Sequence, residues 1–189
     1  RQALRRNGAQ VGDDLWFSGT LGDARLALGA LRGEWALPPD VFAGARQRLE
    51  RPTPRVALGR GLRGIASSCI DVSDGLAGDV GHILKASRVG ACIEADVASS
   101  LIAGGAFLAS AAGQFDLEFR RRTALAGGDD YELAFTAPPT AHAQVLAAAR
   151  ASATPVTRIG RIEAAPGLRL IDAAGQAIEG DYRSFDHFR

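Results

Sequence analysis

The sequence predicts one α+β domain, a mostly antiparallel sheet covered by helices. Short strand-like runs bounded by turn residues are interspersed with segments whose apolar residues recur at helical spacing. No repeat or low-complexity linker divides the chain. Its 189 residues, 47% of them hydrophobic, are enough for one sizeable core or two small ones.

The elements follow in order. Residues 5–14 form a turn-rich lead into a short strand at 15–18, and a glycine turn at 19–23 opens a helix over 24–31. That turn needs small residues for backbone reasons alone, although a phosphate contact there is an alternative. Pro38-Pro39-Asp40 starts a second helix through Leu49, which Arg51-Pro52-Thr53-Pro54-Arg55 breaks before a third over 56–66. A strand at 67–70 leads into Asp71-Val72-Ser73-Asp74-Gly75. The helix after it carries Leu76, Val80, Ile83 and Leu84 on one face, with Ser73 or Asp74 as its expected cap. Residues 91–97 alternate as a strand, and 99–112 and 141–151 read as helices. Between those two helices, Gly127-Gly128-Asp129-Asp130-Tyr131-Glu132 reads as a glycine turn feeding a strand. Alternation there puts Asp130 and Glu132 on one face, Asp129 and Tyr131 on the other. Late strands near Ile159 and Arg169 precede an aromatic tail.

Composition narrows the function classes. A net charge of +1 gives no strong electrostatic case for nucleic acid or a membrane surface. No apolar run approaches the roughly 20 residues of a membrane span, and the basic, polar first residues show no signal peptide. Cys69 and Cys92 lie in apolar runs, as buried thiols of a reducing cytoplasm do. There is no methionine, so a piece of a longer polypeptide is expected.

Three groupings can carry chemistry. Asp71 and Asp74, three residues apart where a strand gives way to a helix, can converge on a hard cation, while the Ser73 hydroxyl and free helix amides suit phosphate oxygens. The alternative is an acidic helix cap. The acids after Gly127-Gly128 need a cationic partner, or else form a solvated hairpin. Arg5, Arg6, Arg51 and Arg55 stand near turns, where arginine can clamp phosphate or simply be solvated. His82, His142 and His187 lack metal-ligand spacing and are read as structural. The lysine-bearing phosphate loop, the protein-kinase signatures, H-E-x-x-H and the G-x-S-x-G elbow are all missing.

Taken together, Arg6-Asn7-Gly8-Ala9, Ser18-Gly19-Thr20-Leu21-Gly22-Asp23, Arg51-Pro52-Thr53-Pro54-Arg55, Ile70-Asp71-Val72-Ser73-Asp74-Gly75-Leu76, Gly127-Gly128-Asp129-Asp130-Tyr131-Glu132-Leu133 and Phe185-Asp186-His187-Phe188 resemble the thiamine-monophosphate kinases, within the aminoimidazole ribonucleotide synthetase-like superfamily. The likeness spans essentially the whole chain, residues 1–189, as a C-terminal ATP- and substrate-binding domain. It implies transfer of the ATP γ-phosphoryl group to thiamine monophosphate, giving thiamine diphosphate. It also implies ATP contacts from Arg6 and Ser73, Mg2+ on Asp71 and Asp74, and substrate contacts from Asp129 or Asp130 and from Phe185 or, second, Tyr182. Tyr182 stands where the family often has tryptophan, and Ser184 where glycine is usual. The resemblance further implies an absent N-terminal domain with more magnesium-binding aspartates, a homodimeric full-length enzyme, and little activity in this chain alone. Alternatives are a selenophosphate or purine-pathway synthetase of the same superfamily, or a non-catalytic binding domain on this scaffold.

Overall fold

The structure, a computed structural model, describes residues 3–111, 113–180 and 182. Strand β1 (Asp14–Ser18) sends Leu15 and Phe17 to one face of a sheet and Trp16 to the other, as period-two alternation requires. Helices α1 (Asp23–Leu31) and α2 (Pro39–Glu50) follow, the second opening on proline, whose missing N–H costs nothing in a first turn. Then come α3 (Val56–Gly61), β2 (Ser68–Val72), α4 (Leu76–Ser87), β3 (Gly90–Glu94), α5 (Ala95–Ser99), α6 (Gly105–Ser110) and α7 (Leu117–Ala126). Strand β4 (Glu132–Ala137), helix α8 (His142–Ala151) and strands β5 (Val156–Glu163) and β6 (Gly167–Ile171) complete the described chain.

The six strands lie in the order β2-β4-β1-β5-β3-β6. All pairings are antiparallel except β3 with β6. Both faces are covered. Leu15, Phe17, Ile70, Val72 and Ile93 pack with α1, α4, α5 and α7, forming the larger core. Trp16, Cys69 and Phe135 face Leu58 of α3 and Val145 of α8 in the smaller one. Trp16 stacks parallel to Phe135 at 6.3 Å between centroids, and His142 meets its edge at 5.1 Å.

The expected strands and helices are present with four departures. The strand at 91–97 ends at Glu94 because the chain turns into α5, where Asp96 accepts from Arg121 and from the Ala173 N–H at 2.8 Å each. The helix over 99–112 shrinks to α6, which starts beyond Ala103, whose N–H is held by Asp23 at 2.8 Å. The helix over 56–66 stops at Gly61, ahead of a turn in which Gly64 takes φ 76°. Helix α7 is not foreseen at all. Its three consecutive arginines break the apolar stripe, and it buries Thr123, Ala124 and Leu125 near its end. The local signal is Asp116, whose carboxylate accepts from the Phe119 N–H at 2.7 Å as an N-cap.

Truncating Phe135 in the smaller core removes its stacking on Trp16. Phe135→Ala is expected to cost about 3–5 kcal/mol, read as a lowered urea midpoint with unchanged slope.

Candidate functional site

The candidate site forms where two turns lock together at one end of β2 and β4. On β2, Ile70 and Val72 point into the larger core, so Asp71 lies on the opposite face with Cys69, exposed. The chain then turns through Ser73, Asp74 and Gly75 (φ 116°) into α4. Neither Ser73 nor Asp74 caps that helix. Asp79, in its first turn, folds back and accepts from the N–H groups of Ser73 at 2.9 Å and Asp74 at 3.0 Å. Asp79 is buried, which pushes its carboxyl above the ordinary value against the pull of those two hydrogen bonds.

The second turn docks onto the first. The Asp129 N–H donates to the Ser73 carbonyl and the Tyr131 N–H to the Val72 carbonyl, each at 2.8 Å. A Cβ on Gly128 would lie 2.6 Å from the Ser73 carbonyl oxygen, so only glycine permits this approach. Asp129 and Tyr131 take left-handed backbone (φ 65° and 50°), a cost of about 1–3 kcal/mol each. The strand begins only at Glu132, yet the expected alternation of faces is kept. Asp129 and Tyr131 are exposed, while Asp130 and Glu132 are buried.

Those two buried acids have separate partners. Both oxygens of Asp130 accept from the Gly22 N–H, at 2.9 and 3.0 Å, and burial drives its carboxyl well above the usual range. Glu132, with no exposure, accepts from Ser18 Oγ at 2.5 Å, Arg48 at 2.6 Å, and Arg55 at 2.7 and 2.5 Å. A Cβ on Gly19 would sit 2.2 Å from the Glu132 carboxylate, so the glycine turn after β1 makes room for this acid. Sequence reasoning missed the partnership of Glu132 with Arg48, and Asp79 as well. Arg48 sits inside a helix with no motif to mark it.

Two clefts open beside the locked turns. A larger one, about 840 Å³, is walled by the N-terminal segment, the Pro52–Pro54 bend and the outer edge of β2; Arg6, Asn7, Arg55, Asp71 and Tyr131 line it. A smaller one, about 310 Å³, holds Ser73, Asp74, Gly128 and Asp129 together with Arg25 and Arg32 of the α1 segment. Of the expected site residues, Arg6 and Asp71 thus share the first cleft and Ser73, Asp74 and Asp129 the second. Asp130 reaches neither. Tyr182 also reaches neither: its ring lies in the larger core and its hydroxyl donates to Glu118 at 2.8 Å, with burial as the main cause of a pKa pushed up to about 12. Phe185 lies outside the described residues. Burial likewise drives the Cys69 thiol to about 12, leaving it inert.

Among the described residues Asp71, Asp74 and Asp129 enter no ion pair, and no group of three or more His, Cys, Asp or Glu side chains is placed to hold a metal by itself. Nor is any helix there long and apolar enough to cross a membrane.

Acidic turns thus stand at the mouths of two clefts at one end of this six-stranded sheet. Residues 10–173 match the AIR synthase related protein, C-terminal domain family, and the chain belongs to it. Its near relatives are more particular. The thiamine-monophosphate kinase of Salmonella typhimurium is 38% identical over 189 residues, covering 99% of this chain and 56% of that protein. The crystal structure of thiamine-monophosphate kinase from Stenotrophomonas maltophilia superposes with TM-score 0.79 at 43% identity, over 94% of this chain and 54% of that one. AaThiL complexed with AMPPCP and TMP gives TM-score 0.75 at 29% identity, over 98% and 54%. The chain therefore spans a little over half the length of these relatives.

Removing Glu132 leaves two guanidinium groups in a confined site. Glu132→Ala is expected to lose about 3–5 kcal/mol by urea unfolding. Asp130 behaves differently with pH. Its folded-state pKa is raised, so its contribution to stability is whole below the unfolded value of about 3.9 and is lost as pH climbs through the folded value. Asp130→Asn keeps an acceptor for Gly22 without the charge, and its stability relative to the parent chain should rise between pH 4 and pH 8.

Proposed function

We propose that this chain is the C-terminal part of a kinase that moves the γ-phosphoryl group of ATP onto thiamine monophosphate, forming thiamine diphosphate. One juxtaposition supports the reading: the Asp71–Asp74 turn is hydrogen-bonded to the Gly128–Tyr131 turn, which brings to the margins of two neighbouring clefts three carboxylates that form no ion pair among the described residues. The relatives named above include thiamine-monophosphate kinases, and AaThiL was solved in complex with AMPPCP and TMP.

In this reading the larger cleft takes the nucleotide, with Arg6 at its phosphates, and Ser73 reaches the transferring group from the turn between the clefts. The smaller cleft takes the acceptor. There Asp129, open to the cleft, is the contact in preference to Asp130, whose oxygens already serve Gly22. Phe185 is the aromatic residue assigned to the thiamine ring, since Tyr182 is enclosed in the core. Asp71 and Asp74 fit Mg2+ by chemistry: they are hard oxygen donors that no arginine neutralises among the described residues, and Mg2+ is held by one or two carboxylates plus substrate phosphates and water. Magnesium bound there supplies charge neutralisation at the phosphates. The chain's own residues align donor and acceptor for in-line transfer, and a phosphate monoester oxygen needs no general base to attack.

The relatives' extra length fits an N-terminal domain that adds magnesium-binding aspartates and builds a homodimer in the cytoplasm. The test is thiamine diphosphate formation from Mg-ATP and thiamine monophosphate, by this chain and by the longer polypeptide containing it. Product from the longer polypeptide is expected, with little from the chain alone. Asp71→Asn should cut the rate of the longer form roughly a hundredfold. A folded longer form that phosphorylates other acceptors but not thiamine monophosphate moves the protein to another branch of the superfamily.

A further inference from the structure

The smaller cleft contains two arginines that no motif marks. Arg25, Leu28 and Arg32 stand at i, i+3 and i+7 on α1 and its C-cap, a spacing that puts all three on one helix face, and all three line the cleft with Ser73, Asp74 and Asp129. Arg25 is held in place before any ligand arrives. Its Nη2 donates to Glu34 at 2.6 Å, its guanidinium lies 4.8 Å from the Trp35 ring centroid, and its stem crosses Gly127, where a Cβ would come within 2.9 Å of its own. Yet Nη1 of Arg25 is enclosed without a hydrogen-bond partner, a state that leaves a donor unsatisfied. Arg32 is exposed and has no ion-pair partner among the described residues.

We propose that Arg25 and Arg32 form an anion-binding wall that receives the phosphate monoester of the acceptor. Without them, a phosphate entering this cleft meets the Asp74 and Asp129 carboxylates alone and is repelled. With them, the cleft offers separate cationic and anionic surfaces, Arg32 carrying an uncommitted charge and Arg25 one shared with Glu34. A ligand with a fixed cation and a phosphate, as in thiamine monophosphate, matches both. A pre-ordered guanidinium also loses less side-chain entropy on binding than a free one. The identity of the acceptor rests on the function proposed above; the anion wall rests on the cleft itself.

The two are separated by titrating the 189-residue chain, followed by NMR to millimolar ligand, with thiamine monophosphate, thiamine and phenyl phosphate. The chain should bind thiamine monophosphate more tightly than thiamine. Arg25→Gln and Arg32→Gln should each weaken both phosphate compounds roughly tenfold or more, leave thiamine unchanged, and Arg25→Lys should restore only part of the loss. Arg32 is exposed, so its variant reports even where an Arg25 variant unfolds. Phosphate affinities unchanged in the Arg32 variant, or no phosphate binding by the unmodified chain, overturn the proposal. Arginine-dependent binding of phenyl phosphate, with thiamine monophosphate bound no better, keeps the wall and removes thiamine monophosphate as the acceptor.

Discussion

The carboxylate of Glu132 is the constraint on which the site's geometry depends. It has no solvent exposure, and it collects donors from β1 through Ser18, from α2 through Arg48 and from the bend after α2 through Arg55. Three segments distant in sequence are therefore fixed against the start of β4. Such a network is weak as a source of net stability, since removing charges from water costs about as much as their attraction returns. Its effect is on uniqueness. A displaced α2 or a shifted register leaves a buried ion without its partners, and that penalty is steep. Arg55 then has two duties, because the guanidinium that satisfies Glu132 also forms part of the wall of the larger cleft.

Local strain is arranged around the same strand end. Two non-glycine residues in left-handed backbone within three positions is an uncommon expense. Hydrogen bonds from Asp129 and Tyr131 to the carbonyls of Ser73 and Val72 offset it, and Asp79 stiffens the opposing turn from the other side. The two turns are thus one rigid object whose outward side chains are Asp71, Asp74, Asp129 and Tyr131. Precise placement of charge needs such rigidity, because a carboxylate displaced by an ångström no longer shares its ligand.

Much of the fold was legible from sequence where periodicity is strong. The strand at Leu15–Ser18 and the α4 stripe follow from alternation and spacing that burial enforces, while the antiparallel character of the sheet was expected in part from the family resemblance. Family membership was legible from ordered motifs. Helix α7 was not, since three consecutive arginines interrupt its apolar spacing and its buried residues, Thr123, Ala124 and Leu125, cluster near its end. The separate fates of adjacent acids were hidden for a different reason. Alternation paired Asp130 with Glu132, but whether that face meets solvent or protein depends on Gly22, Arg48 and Arg55, which lie about 80 to 110 residues earlier. Local sequence contains no record of a partner that tertiary folding delivers.

That dependence divides the acidic residues into two populations. The chain carries 22 arginines and lysines against 21 aspartates and glutamates, so near-complete pairing is arithmetically open to it. Many acids take it: Asp14 and Glu94 share Arg158, Asp96 holds Arg121, and Glu132 holds two arginines. At the turns, cations are nearby but left uncommitted. Arg6 lines the cleft with Asp71, and Arg32 the cleft with Asp74 and Asp129, without an ion pair forming among the described residues. Carboxylates and guanidinium groups kept apart on one surface remain available to a third charged species. Under the proposed function the ligand is a polyphosphate with its counter-cation, a class that uses both signs at once, and the uncommitted charges around the two clefts suit it.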